Sequence, residues 1–559
     1  METFNVFMET VNAVLWHDYV LYAILGVGVL LMIWTKFSPI IALTHGVDVI
    51  RGKYDKKDDP GAISHFQALS AALSATVGLG NIGGVAVAIS LGGPGAVFWM
   101  WVVGFFGMAI KTTEVTQSML YRNTDDSDNP HGGPMFVVSQ GLARMNPALA
   151  SLGRGIAYVF CVTLLISTVT GGNMFQAWNV GTVTELNFGI PAMLTGVILA
   201  IITGMVIIGG IKRIGAVAGQ LVPFMCGLYL VASLYVLLLN FAEIPGLMRL
   251  IFVSAFGPTE AQGAFIGGTF GYAFLWGMKR ALFSNEAGQG SSPIAHSAAR
   301  TDEPVREGIV AGLEPFIDTL VVCTLTSLVI LSSGAWNRGP AGVFDTPPTI
   351  TEAAPGQWTL DSGPLPTNTE TGWIDGQDVF VLLDVGSIND QTGTSLAQLN
   401  GTVMESNGVF SADWTTFSGS SAPTVNDGGV YSQYIGASLT SYAFDLATPG
   451  LGRWLVTLAA WLFAISTMIS WSYYGEQGIV FMLGAKWVKT YKIIYCLLIV
   501  VATSGLISTI RELDNLTTIG TGVMLFANIP IILIFGRQAM ESYHEYVGRL
   551  KAGEIKRTS

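Results

Sequence analysis

Apolar runs of about twenty residues, parted by short polar breaks, recur along the chain from Tyr19 to Phe535. A bilayer's hydrocarbon core is about 30 Å thick and takes about 20 mostly apolar residues per helix, so the pattern predicts a protein threaded many times through a membrane. Reading run by run gives eleven spans, near 19–37, 66–91, 94–120, 155–179, 190–209, 214–241, 262–292, 308–333, 451–473, 491–509 and 516–536. The first eighteen residues lack the basic n-region of a cleavable signal peptide, and the run from Tyr19 is read as a retained helix.

The pattern changes once. Residues 335–432 are rich in Gly, Ser, Thr, Asp and Pro, and short runs such as Asp378-Val-Phe-Val-Leu-Leu-Asp384 and Gly408-Val-Phe, separated by turn residues, predict a small β-rich insert. It holds one Arg, no Lys and eleven acids, Glu370 among them. It reads either as a solvated cap or as a surface whose field gathers cations.

Composition agrees with the span count: of 559 residues 51% are hydrophobic and only 12% charged. Soluble domains carry roughly a quarter charged residues. The net charge of -11 matters less than its placement. If the N-terminus is outside, the cytoplasmic loops hold 22 of the 27 basic residues, beginning with Lys36, Arg51, Lys53, Lys56 and Lys57 and ending with Arg537, Arg549, Lys551, Lys556 and Arg557. Basic residues favour cytoplasmic loops, which predicts an outer N-terminus and a cytoplasmic C-terminus. Cys161, Cys226, Cys323 and Cys496 all fall in apolar runs and read as small core residues.

Candidate chemistry sits where spans are interrupted. The second span contains Leu73-Ser-Ala-Thr-Val-Gly-Leu-Gly-Asn-Ile-Gly-Gly-Val85. Each glycine costs a helix interior about 1 kcal/mol against alanine, so this cluster predicts a break. Lipid cannot satisfy freed N–H and C=O groups, and a break at membrane depth must face protein or a wet cavity. Freed donors at a half-helix N-terminus suit a carboxylate, and freed carbonyls suit Na⁺ or an ammonium. Close packing through small residues is the other reading. Gly78, Gly80 and Gly83 match G-x-G-x-x-G in letter, but no strand–turn–helix unit surrounds them and a dinucleotide site is excluded.

The seventh span carries Trp276-Gly277 as a second expected break, followed by Lys279, Arg280 and Glu286, which cannot face lipid. Breaks in the second and seventh spans are five apart, the spacing of a five-plus-five inverted repeat after one leading helix. In the ninth span Ser466, Thr467 and Ser470 put hydroxyls of the right type for Na⁺ on one side, or else bond back to their own helix. Gln176, Glu314 and Asp318 are further polar candidates, the last two being like charges four apart on one helical face; Glu114 reads as structural.

At these residues the chain resembles the alanine or glycine:cation symporters. The likeness is carried by Gly78-Leu-Gly-Asn-Ile-Gly-Gly-Val, Gly92-Gly-Pro-Gly-Ala-Val-Phe-Trp-Met100, Gly132-Gly-Pro-Met135, Phe283-Ser-Asn-Glu-Ala-Gly-Gln-Gly-Ser291 and Trp471-Ser-Tyr-Tyr-Gly-Glu476, and it covers nearly the whole chain except the insert. The resemblance implies an all-α polytopic fold of LeuT type, a 5+5 inverted repeat with one extra N-terminal helix. The chain would then divide into 1–65, with the extra helix and a cytoplasmic loop; 66–334, core helices 1 to 7; 335–432, the acidic extracytoplasmic insert; 433–536, core helices 8 to 10; and 537–559, a cytoplasmic tail.

The same resemblance implies import of a small neutral amino acid with sodium across a bacterial plasma membrane. Backbone at Gly78, Leu79 and Gly80 with the Asn81 side chain would hold the carboxylate. Phe274, Trp276 and Gly277 would face the ammonium and side chain, with Gln176 closing the pocket. Sodium would sit among carbonyls near Ser74 and Val77 and the hydroxyls of Ser466 and Thr467. The insert departs from the family pattern.

A membrane sensor that keeps this scaffold and binds ligand through the insert is a competing reading, as is proton coupling. An enzyme is disfavoured because no nucleophile–base pair or metal cluster appears among the scattered histidines, and nothing points to an organic cofactor or to nucleic acid. Alanine against glycine or serine, chirality, stoichiometry and oligomeric state are not written in the sequence.

Overall fold

The computed structural model of the chain describes residues 2–56, 58–126, 130–361, 363–369, 372–506 and 510–557. Lys57, Glu370 and positions 507–509 at the end of the tenth predicted span lie outside the described residues.

The protein is predominantly helical. α1 (Glu2–Leu15) and α2 (Asp18–Trp34) precede short helical turns over Ser38–Ile50. α3 (His65–Thr76) opens on a capping box in which Ser64 and Gln67 satisfy each other's backbone N–H groups. After a break, α4 (Val85–Gly92) leads to α5 (Gly95–Leu120), α6 (Pro134–Met145) and α7 (Ala150–Val169), which passes through a widened π turn at Thr170–Met174 into α8 (Phe175–Phe188). α9 (Ala192–Ile207), α10 (Gly210–Leu239), α11 (Ile244–Ser254), α12 (Phe270–Asn285) and the single turn α13 (Ser292–His296) follow. α14 (Pro304–Ala311) widens at Phe316–Cys323 before α15 (Thr324–Ser332), and the chain closes with α16 (Ala437–Ala447), α17 (Gly452–Leu483), α18 (Val488–Thr503), α19 (Ile510–Ile534) and α20 (Gly536–Lys551).

Among the described residues seven helices are long and apolar enough to cross a membrane, and the pair His65–Thr76 and Gly80–Gly92, bent by 51°, makes an eighth if counted as one span. Outward-facing large apolar side chains such as Ile201, Ile208, Phe224, Val231 and Leu238 are exposed, the reverse of a soluble surface. The chain is thus a multi-pass membrane protein. Its helices approach closely through small residues: Gly104 against Thr319 and Gly107 against Ala287, each at 3.0–3.2 Å from where a Cβ would sit.

The seventh predicted span needs correction. α12 runs unbroken through Gly277, and the interruption lies after Asn285. Gly277 is small for packing: a Cβ there would collide with the carbonyl of Ala96. The chain leaves the helix at Glu286, a non-glycine residue with φ of 55°, and stays irregular through Gly288 and Gly290, both left-handed at φ 85° and 80°. Those two positions need glycine's freedom. The ninth predicted span continues to Leu483, ten residues past its expected end, because Trp471–Glu476 stays helical inside the protein.

Residues 342–432 carry β1 (Gly342–Val343), β2 (Ile350–Ala354), β3 (Gln357–Leu360), β4 (Asp378–Asp384), β5 (Leu396–Ser406), β6 (Val409–Trp414), β7 (Phe417–Ser418) and β8 (Thr424–Ser432). One antiparallel sheet has the order β1-β8-β4-β5-β6 and the other β2-β3-β7. Val379, Val381 and Leu383 point into one core with Leu399, Val403 and Trp414, while Phe380, Leu382 and Tyr431 on the opposite face pack on Ala264 of the helical body. Gln391 accepts from both the backbone N–H and the hydroxyl of Thr269, the N-cap of α12, and Thr394 donates to Ile266 O at 2.7 Å.

Candidate functional site

The break between α3 and α4 is built from the glycine cluster. Val77 leaves helical conformation at φ -78°, ψ 91°, and the chain resumes as a π turn over Gly80–Gly84. A helix end leaves its last carbonyls without intrahelical partners, so α3 points free C=O groups at the break while the new turn offers free N–H groups. Asn81 holds the gap. Its Oδ1 accepts from Gly78 N at 2.8 Å, and its Nδ2 donates to Asp318 Oδ1 at 2.5 Å and Ser284 Oγ at 3.1 Å. Asp318, fully buried, also accepts from Ser284 at 2.9 Å and Thr319 at 2.7 Å.

Beside this break lies a small cavity of about 30 Å³. Ala75, Thr76, Gly78 and Gly80 form one wall, Ser167, Gly171 and Gln176 a second, Phe283, Glu286 and Gln289 a third, and Thr467, Trp471, Thr517 and Thr521 the rest. Its polar atoms are poorly satisfied. Gln176 uses its Nε2 on Gly171 O at 3.0 Å, and its Oε1, Ser167 Oγ and Thr467 Oγ1 are buried with no hydrogen-bond partner among the described residues. A buried donor or acceptor left unmade costs about 1–3 kcal/mol, so a polar occupant of the cavity would stabilise these groups.

Where α3 ends it touches α17. Ser74 Oγ donates to Ser466 O at 2.7 Å, and Ser466 Oγ donates to Phe463 O at 2.8 Å and Ser74 O at 3.3 Å. Thr467 Oγ1 lies where a Cβ on Gly78 would be only 2.5 Å away. Ser74, Val77, Gly78, Ser466 and Thr467 are therefore one neighbourhood: two free hydroxyl lone-pair sets, the orphan Thr467 oxygen and helix-end carbonyls. Oxygen donors of this kind are the hard type that a hard cation takes.

The predicted site residues thus fall into two groups. Gly78, Gly80, Gln176 and Thr467 line the cavity, with Leu79, Ser74, Val77 and Ser466 adjoining it. Asn81 is fully buried and turned away from the cavity toward Asp318. Phe274 stacks on Tyr22 at 4.9 Å and meets Trp99 edge-on at 5.0 Å, and so packs against α2 and α5. Trp276 lies against Gly92 under Lys279 and Arg280, whose charged ends stand 5.3 Å and 5.4 Å from its ring. Gly277 packs on Ala96. From this segment the cavity takes instead residues two turns later, Phe283 and Glu286, with Trp471 as its other aromatic. The signal available was Glu286-Ala-Gly288-Gln-Gly290, an acid among alternating glycines.

Compared with known proteins, the chain matches the model of the sodium:alanine symporter family over residues 1–360 and 403–559. It is 34% identical over 530 residues, 95% of this chain and 94% of the relative, to the sodium/alanine symporter AgcS of Methanococcus maripaludis. A transporter of Haemophilus influenzae is 30% identical over 98% of this chain and 97% of its own length. YrbD of Bacillus subtilis, named for sodium/proton-dependent alanine carriage, is 30% identical over 98% of this chain and 93% of its own.

Proposed function

Because the chain belongs to the sodium:alanine symporter family, we propose that it imports small neutral amino acids, alanine and glycine first, by symport with sodium through the cavity at the helix break. Such a protein is a carrier and not an enzyme. The observation that bears the reading is a buried cavity whose walls combine bare peptide groups with the unpartnered oxygens of Gln176, Ser167 and Thr467.

A zwitterion needs two kinds of partner. The N–H groups at Leu79 and Gly80, at the start of the π turn, receive the carboxylate. Glu286 and Gln176 Oε1 are acceptors on the opposing walls and take the ammonium. Gln289 and Phe283 bound the side chain in a cavity so small that only the smallest side chains suit it. Phe274, Trp276 and Gly277 support the wall from behind. Sodium sits among Ser74, Val77, Ser466 and Thr467, tying α3 to α17. By linkage, an ion that binds the amino-acid-competent arrangement more tightly also raises the affinity for the amino acid, and the sodium gradient drives uptake.

In the membrane the seven long apolar helices, the broken pair, α9, α12 and α18 make eleven spans, one leading helix and ten in two halves of five. The N-terminus and the insert lie outside and the C-terminus in the cytoplasm of a bacterial plasma membrane, with lipid and the two solutes as partners.

Labelled alanine uptake into proteoliposomes is the test. It is expected to require inward-directed Na⁺, and equal uptake with choline in place of Na⁺ would overturn the reading. Thr467→Ala removes one ion-facing oxygen, with an expected rise of about tenfold in the Na⁺ concentration for half-maximal uptake, since one bond to a charged group is worth about 1.5–3 kcal/mol. Thr467→Ser restores it. An unchanged Na⁺ requirement in Thr467→Ala would remove the ion from this position.

A further inference from the structure

The cavity carboxylate Glu286 belongs to a turn that no helix supports. Its backbone leaves α12 at φ 55°, and Gly288 and Gly290 are left-handed. Within the turn the bonds are local: Gln289 N donates to Glu286 O at 3.1 Å, and Ser291 Oγ makes a short bond to the Glu286 carboxylate. These bonds shape the turn but do not fix where it sits. A side chain that meets a ligand charge needs its surroundings to hold it to within about 0.5 Å.

Two buried residues outside the cavity supply that hold. Asn528 of α19 places one amide hydrogen on Gly288 O at 2.9 Å and the other on Glu114 Oε2 at 2.9 Å. Glu114 of α5 accepts in turn from Gly288 N, 3.4 Å from its Oε1, and Lys111 Nζ stands 3.9 Å from that same oxygen. The peptide groups on both sides of Gly288 are thus gripped by a closed ring of three bonds. The turn has no slack around it: a Cβ on Gly288 would stand 2.8 Å from Ile529 Cδ1, and one on Gly290 2.3 Å from Pro134 Cγ.

The grip reaches a second wall of the cavity. Thr517 and Thr521 line it from α19. Thr521 and Asn528 are seven residues apart, so they share a face of that helix about 10 Å apart along its axis. One helix therefore sets the threonine wall and the turn bearing the acid against each other. A plain brace would tie helix to helix. Among the described residues, the hydrogen bonds of the Glu114 and Asn528 side chains go to one another and to Gly288.

We propose that Glu114 and Asn528 are positioning residues for recognition of the substrate's amino group. They hold the 286–291 turn at one distance from the α19 wall, so that the Glu286 carboxylate meets a primary ammonium and a methylated amine does not fit. This rests on the ammonium role given to Glu286 above.

Equilibrium binding to the purified full chain at saturating Na⁺ is the test, with labelled alanine displaced by alanine or by N-methylalanine, which keeps the carboxylate and side chain. The wild type is expected to prefer alanine by about tenfold or more, the usual discrimination for one extra carbon in a tight site. In Asn528→Ala alanine affinity is expected to fall about tenfold, and the preference over N-methylalanine to shrink below about threefold, because the acceptor is no longer fixed. Radiolabelled Na⁺ binding without alanine, which uses Ser74 and Thr467, is expected to stay within about twofold. Glu114→Gln, close in volume but with one amide oxygen where two carboxylate oxygens are used, is expected to follow in both respects, and it gives the same comparison if Asn528→Ala does not fold. Alanine and N-methylalanine losing affinity by equal factors, variants that bind as the wild type does, or a wild type indifferent to the methyl would each overturn the positioning role. A wild type that binds no alanine in Na⁺ would instead overturn the transport reading beneath it.

Discussion

Alanine uptake by Asn81→Ala is expected to fall by about 100- to 1000-fold, even though this side chain does not line the cavity. Its Oδ1 closes the break by accepting from Gly78 N, and its Nδ2 is one of three donors that satisfy the buried Asp318 carboxylate. Hydrogen bonds to charged groups are worth about 1.5–3 kcal/mol each, and about 1.4 kcal/mol is a factor of ten. Losing the bridge strands a peptide N–H and leaves Asp318 underserved at once. The companion measurement is thermal unfolding in detergent, where the same variant loses stability in the same order. Uptake above a tenth of wild type would mean that the break keeps its shape without the bridge.

The second large effect belongs to Gly78→Ala. A Cβ there would stand 2.5 Å from Thr467 Oγ1 and 3.8 Å from Gln176 Oε1, between the proposed ion and amino acid positions. The nearer atom is the end of a short side chain, which yields by rotating its hydroxyl away from the break. The variant is therefore expected to fold and to be purified normally while Na⁺-driven uptake drops by about 100-fold or more, since a core that must accept an extra methyl loses about 1–3 kcal/mol and the ion loses a ligand as well. Gly78→Ala combined with Thr467→Ala relieves the contact without restoring Na⁺ dependence. Recovery of wild-type Na⁺ dependence in that double variant would show that the Thr467 oxygen is not a ligand.

These two residues also show what was legible before the structure. Glycines at 78, 80, 83 and 84 disfavour helix by intrinsic propensity, a local property, and the break appears among them. Gly277 looks alike in sequence but serves a neighbour that sequence does not reveal, the carbonyl of Ala96 on α5. A lone glycine in a membrane helix does not announce whether it bends its own helix or admits another. The true interruption, at Glu286 with Gly288 and Gly290, is set by left-handed backbone, which alternating glycines hint at only after the fact.

Glu314 and Asp318 make the converse point. Four apart on a regular helix, they would share a face and repel. The chain widens at Phe316–Cys323, and the two acids find different partners: Glu314 takes His296, Ser292 and Lys111, while Asp318 takes Asn81, Ser284 and Thr319. A π turn costs little in sequence signal and changes which neighbours a side chain meets. That the chain crosses a membrane many times followed from hydropathy, but partner choice depended on helix phase, and phase was not readable.

α12 is a rod about 24 Å long by its sixteen residues. One end is anchored where the β-rich domain's Gln391 carbonyl takes Thr269, and the other stops at Glu286. With no break between, the sheet's loop and the cavity wall are joined by one continuous helix. A protease nick at that loop is expected to be felt at the far tip, because one continuous helix joins the β-rich domain to the cavity wall.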